Sequence, residues 1–240
     1  MPYRPLKQKT IGILGGCSNV ATQHYYNFLN SGVNAELGGW EIAETLIAGL
    51  NFGNIEAFIR TDDWDGLESY MYDKISALVA AGADLILCVS NTLHKSMESV
   101  MAHFDVPMIH IADPTGRAIQ DAGLKTVALF GTRPVMQMDY LKDKYRHEFA
   151  IETVSPTPEE QDDIDRIIFE QLVKGVFTQA SKSRYIDIAN RMQADHAVEG
   201  VILGCTEIFL ILEPSDTPNL PLFNTAKLHC DAAVKFALKP

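Results

Sequence analysis

Four cysteines are spread along the chain, at positions 17, 88, 205 and 230. A thiol with an unperturbed pKa of about 8.5 is easily tuned into a base or nucleophile near neutrality. Cys205 has the most suggestive setting. It follows the apolar run Val201-Ile202-Leu203 and Gly204, and 206–212 reads as a helix start. A thiol at a helix N-terminus has its pKa lowered by the dipole and the free backbone N–H groups. A buried, inert cysteine after a strand accounts for Cys205 alone about as well. Cys17 reads as a small residue in a turn. No CxxC is present, and the spacing argues against a zinc site. No secretion signal is recognised at the N-terminus, so reduced thiols and a cytoplasmic location are expected.

Other groups that could do chemistry lie beside candidate strand ends. Ser90-Asn91-Thr92 closes the apolar run 85–89, next to a helix start where backbone N–H groups can hold a carboxylate. N-capping explains the trio equally well. Gly15-Gly16 permits close backbone approach to a ligand. The segment is Gly-Gly-Cys-Ser rather than GxGxxG, so a dinucleotide reading is weak. His94 and His110 could orient a ligand or tune a thiol, although a satisfied structural histidine is the plainer reading of each. Lys174 and Lys182 could each meet a substrate carboxylate, or be solvated. The acidic run Glu159-Glu160-Gln161-Asp162-Asp163 suits a helix N-terminus and is given no function.

Positioning these groups requires an alternation of short apolar strands and amphipathic helices. Strands are predicted over 10–14, 41–50, 85–89, 108–111, 126–130, 151–154, 201–203 and 222–223. Helices are predicted over 21–32, 55–60, 64–81, 95–103, 116–122, 135–148, 158–174, 181–194 and 226–238. This is the pattern of an α/β protein with parallel sheets covered on both faces. The chain also repeats itself. Lys9-Thr10-Ile11-Gly12-Ile13-Leu14-Gly15-Gly16 matches Lys125-Thr126-Val127-Ala128-Leu129-Phe130-Gly131-Thr132 at an offset of 116. Ser90 pairs with Cys205 at an offset of 115, and Val106-Pro107-Met108 matches Leu220-Pro221-Leu222 at 114. Two similar α/β lobes with pseudo-two-fold symmetry follow, over 1–114 and 115–222, with 223–240 a C-terminal helix returning to the first lobe. Ligands of such sheets bind beyond the carboxyl ends of strands. The interlobe cleft is therefore expected to be lined by 15–18, 90–92, 131–133 and 205–207.

Composition sets the outer limits. The chain has 240 residues, 47% of them hydrophobic, enough for a core without staples. No apolar run reaches the roughly 18 residues of a membrane span. Asp and Glu outnumber Lys and Arg by 31 to 20, a net charge of −11, which disfavours binding nucleic-acid backbones.

On five ordered motifs the chain resembles the aspartate/glutamate racemase family from Lys9 to about Leu238. They are Ile11-Gly12-Ile13-Leu14-Gly15-Gly16, Ser90-Asn91-Thr92-Leu93-His94-Lys95, His110-Ile111-Ala112-Asp113, Gly131-Thr132-Arg133 and Gly204-Cys205-Thr206-Glu207. The resemblance implies a cofactor-free and metal-free isomerase acting at Cα of aspartate or glutamate, and a homodimer. It implies two thiols, one removing the α-proton and one returning it on the opposite face. Here the first of those positions is Ser90. Cys88, two residues earlier, belongs inside the strand. A second departure is Asn224, where relatives carry Asp. The expected catalytic pair is thus Cys205 and Ser90. The expected substrate-binding set is Gly16, Cys17, Asn51, Asn91, Thr92, His94, Thr132, Lys174, Thr206 and Glu207. Two other activities fit one retained thiol: a lyase or decarboxylase of the same superfamily, and a non-catalytic dicarboxylate binder.

Overall fold

The first strand, β1 (Ile11–Gly15), is buried at every position, as a strand central to a sheet covered on both faces must be. In the computed structural model, which describes residues 7–239, β1 pairs in parallel with β2 (Thr45–Gly49) on one side and β3 (Leu85–Cys88) on the other. The second lobe repeats this plan. Its strand β4 (Thr126–Phe130) lies between β5 (Glu152–Val154) and β6 (Val201–Leu203), and β7 (Leu222–Asn224) adds beyond β6. The two-lobed parallel α/β architecture read from the sequence is therefore the observed one.

The symmetry is incomplete at one edge. The predicted strand over 108–111 is reduced to a single bridge, Ile86 with Met108. His110 O accepts from Asp113 N at 2.9 Å, and the chain turns at once into α5 (Ala112–Asp121). The predicted strand 41–50 shortens likewise to β2, because Ala43 N is taken by Asn30 Oδ1 at 3.1 Å before the ladder starts.

The helices that bear on the site follow strand ends. After β1, the Ser18 side chain caps α1 (Asn19–Leu37), and after β2, Asn51 caps α2 (Phe52–Arg60). Helix α3 (Trp64–Ala80) follows, and α4 (His94–Met101) comes after β3. In the second lobe the predicted helix 135–148 is two, α6 (Arg133–Gln137) and α7 (Asp139–Phe149), broken where Met138 adopts extended angles. Thr157 and Glu160 form a capping box that starts α8 (Pro158–Glu170). The predicted helix 158–174 ends there. A short 3-10 turn, Leu172–Lys174, completes it, and α9 (Gln179–His196) leads back to β6. Helix α10 (Thr225–Ala237) leaves β7 and buries Ala226, Cys230, Ala233 and Val234 against Tyr25, Leu29 and Val33 of α1.

Candidate active site

The carboxyl ends of both sheets open onto one cavity of about 540 Å³. The first lobe contributes Cys17 after β1 and Ser90, Asn91 and Thr92 after β3. The second contributes Thr132 after β4 and Cys205, Thr206 and Glu207 after β6. Gly204 brings the thiol to this point. A Cβ there would meet Phe130 O at 2.7 Å, so only glycine lets the end of β6 lie this close to β4.

Cys205 and Glu207 are both nearly inaccessible, 8% and 1% exposed. The Cys205 thiol donates to Glu207 Oε2 at 3.0 Å, and Thr206 Oγ1 donates to the same oxygen at 3.0 Å. Glu207 Oε1 accepts from Ser18 Oγ of the other lobe at 2.7 Å. Burial first, and the Glu207 charge second, push the Cys205 thiol well above its ordinary pKa. This corrects the expectation of a thiol acidified by a helix. Residues 205–207 form a turn, and only the three-residue 3-10 segment Ile208–Leu210 follows, so no helix dipole points at the sulfur. Cys17 is likewise pushed up, by burial and by the nearby Cys88 and Glu207.

On the opposite lobe, Ser90 Oγ accepts from Leu93 N at 3.3 Å, which leaves its hydroxyl proton for a ligand. Asn91 Nδ2 donates to Thr225 Oγ1 at 3.1 Å, while its buried Oδ1 has no partner among the described residues. Thr92 and Thr132 join the lobes through a hydroxyl–hydroxyl bond of 2.9 Å. A thiol, a serine hydroxyl and two threonines thus converge from strand ends of both lobes. Such a set can hold a small amino acid by its α-substituents and move a proton at its α-carbon.

The Asp/Glu/Hydantoin racemase family model matches residues 13–233. The chain belongs to that family. A candidate Asp/Glu racemase from Yersinia pestis is 32% identical, with a TM-score of 0.87 over 96% of this chain and 100% of that one. An aspartate racemase homologue from Pyrococcus horikoshii OT3 is 30% identical, with a TM-score of 0.83 over 96% and 100%. The broad specificity amino-acid racemase RacX of Bacillus subtilis is 33% identical over 78 residues, 32% of this chain and 34% of RacX, so the chain matches only about a third of that protein's length.

Not every residue expected in a racemase site reaches this cavity. Gly16, Asn51, His94 and Lys174 do not line it. Gly16 N–H is already bonded to Thr22 Oγ1 at 2.8 Å, so the glycine serves the turn rather than a ligand. Asn51 Oδ1 accepts from Gly53 N at 3.0 Å as a helix cap. Lys174 is exposed at the end of its 3-10 turn, and Lys182 pairs with Asp216 at 2.9 Å. His94 stands behind Ser90. Its Nε2 accepts from Ile111 N at 3.2 Å, which fixes the proton on Nδ1, donating to Ser90 O at 2.6 Å. Burial lowers its pKa to about 4, so the ring is neutral and its bland structural reading holds. His110 also lies outside the cavity, its Nδ1 accepting from Ala112 N at 3.2 Å. Cys88 ends β3 in the core, pushed by burial up to about 12. Asn224 caps α10, accepting from Lys227 N at 3.1 Å, a task Asp performs equally well.

The cavity also has a wall absent from the sequence expectations. Helices α2 and α8 face each other across it, with Phe52 and Phe169 stacked at 6.0 Å and 15°. Asp165 of α8 lines the cavity, accepts from Arg133 N at 2.7 Å, and is close enough for its charge to oppose the Cys205 thiolate. The duplication carries the signal for this wall: α2 follows β2 as α8 follows β5, and ligands of such sheets bind beyond these strand ends too. Among the described residues, no group of three or more His, Cys, Asp or Glu side chains is placed to hold a metal, and no helix is long and apolar enough to cross a membrane.

Proposed function

We propose that the chain is a cofactor-independent amino-acid racemase in which Cys205 and Ser90 work on opposite faces of Cα. The observation that carries this reading is that one proton-transferring group from each lobe lines a single cavity. Inversion needs an acid and a base on opposite sides of the carbon, and a duplicated fold supplies one each.

In this mechanism the Cys205 proton passes to Glu207 Oε2, to which it is already bonded. The thiolate then takes the α-proton, and the electron pair delocalises into the α-carboxylate. That carboxylate is held by strand-end N–H groups and by the one hydroxyl proton the Thr92–Thr132 pair leaves over. Asp165, which lines the cavity, accepts from the α-ammonium. The Ser90 hydroxyl delivers its proton to the other face, and the proton on Glu207 returns to Ser90 through solvent. Aspartate and glutamate, for which the family is named, are the first substrates to assay.

The test is proton NMR in D₂O with both enantiomers of aspartate, glutamate and a panel of neutral amino acids, comparing wild type with Cys205→Ser. Loss of the α-proton signal in wild type only is the expected result. Absence of exchange with every amino acid overturns the reading. A resting, protonated Cys205 also suits protonation of a carbanion formed by decarboxylation, and carbon dioxide release from malonate-type diacids identifies that reaction.

A further inference from the structure

Recognition of the α-substituents leaves the rest of the cavity for the side chain, and that part has a definite character. Its wall is built by Phe52, Ile55 and Ile59 of α2 and by Ile168, Phe169 and Val173 from α8 and the turn after it. The Phe52–Phe169 stack ties the two sides together across the lobes.

The charges do not suit a second substrate carboxylate. The lining holds two guanidinium groups, Arg60 and Arg133, against four carboxylates, Glu56, Asp62, Asp165 and Glu207. Arg60 is bound to Glu56, and Arg133 to Asp162 at 2.9 Å. Lys95, outside the lining, sits with Nζ 3.3 Å over the Trp64 ring. An acidic side chain in this space would lose water against an apolar wall, with carboxylates outnumbering guanidinium groups in the lining. An aliphatic or thioether side chain would instead gain from burial there.

We infer that the side-chain subsite takes neutral amino acids with a long apolar side chain, methionine being representative, in preference to aspartate and glutamate. This rests on the racemase reading for its chemistry, but the subsite itself is a matter of binding. In this reading Asp165, which lines the cavity near Cys205, meets the α-ammonium rather than a cationic side chain.

Two measurements separate the subsite from the chemistry. The first is α-proton exchange in D₂O by wild type with methionine, aspartate, glutamate and lysine. The second is calorimetric binding of the same amino acids to Cys205→Ser. The expected result is kcat/KM for methionine at least tenfold above the other three, with the same order in binding. Ile59→Arg, which adds a cation to the half-buried α2 wall, is expected to shift the ratio at least tenfold toward aspartate and glutamate. A methionine preference under tenfold, or faster exchange of aspartate or glutamate, overturns the subsite and leaves the racemase standing. A preference for lysine overturns it in favour of a cation site at Asp165. Methionine binding without exchange of any amino acid keeps the subsite and overturns the racemase. If methionine neither exchanges nor binds, the subsite is overturned.

Discussion

The Cys205 thiol donates to Glu207 Oε2 at 3.0 Å, so the group assigned to proton abstraction rests against its own proton acceptor. Glu207 therefore acts in two opposed ways. Its charge disfavours the thiolate, yet its oxygen is the place the thiol proton goes. Glu207→Gln separates them. The Cys205 pKa is expected to fall, because a neutral amide no longer opposes the thiolate, and alkylation rate against pH, referenced to Cys205→Ser, reads it. Exchange at Cα is expected to drop roughly 10²- to 10⁴-fold with loss of the base. Unchanged exchange in this variant would remove Glu207 from the mechanism.

Ser90 and Cys205 occupy equivalent places in the two halves, and only one is a thiol. A serine hydroxyl holds its proton at neutral pH, so the two directions of racemisation should differ. The enantiomer whose α-proton faces Cys205 is expected to exchange faster than its mirror image. Ser90→Cys should raise the slower direction, since a thiol with an ordinary pKa of about 8.5 ionises far more readily. Polarimetry from each pure enantiomer measures both rates. An unchanged ratio would mean that Ser90 does not stand opposite Cys205.

The strand-end residues of this site were legible because two physical rules converge on them. The duplication aligns Ser90 with Cys205, and open α/β sheets bind ligands at the carboxyl ends of their strands. What stayed hidden depended on tertiary detail. After Cys205 only the 3-10 segment Ile208–Leu210 forms, with Ile208 and Leu212 buried in the core of the second lobe. His94 reads as a site histidine by its place beside Thr92, but both ring nitrogens are already bonded to backbone. The apolar wall lies on helices α2 and α8, whose apolar residues read as ordinary core until the lobes are seen to face each other.

Gly16 illustrates a glycine whose role is steric. Its φ is +94°, and a Cβ there would meet Leu50 O at 2.1 Å. Gly16→Ala is expected to cost about 3 kcal/mol or more in urea unfolding, combining an unfavourable φ with a backbone clash. A loss under about 1 kcal/mol would show that the turn between β1 and α1 can move aside.

Three neutral histidines make the fold sensitive to acid. His94 and His110 have ring centroids 4.6 Å apart, and His94 and His229 are 5.7 Å apart. His229 is held between Tyr25 OH at 3.0 Å and Ile109 O at 2.8 Å. Burial is the main cause of each lowered pKa, to about 4 for His94 and about 3 for His229, and His110 is lowered as well. In the unfolded chain each titrates near the ordinary histidine value of about 6.5. Below that pH the unfolded state binds more protons than the folded one, so stability falls as pH falls. The contribution is complete above about pH 6.5 and is lost down through about 4 for His94 and about 3 for His229. For His94 alone the loss is on the order of 3 kcal/mol. Urea unfolding from pH 7 to pH 4 should therefore show a steep decline. His94→Asn, which keeps a donor toward Ser90 O but cannot titrate, should be less stable at pH 7 and show a shallower slope. An equal slope in the two proteins would place the acid sensitivity elsewhere.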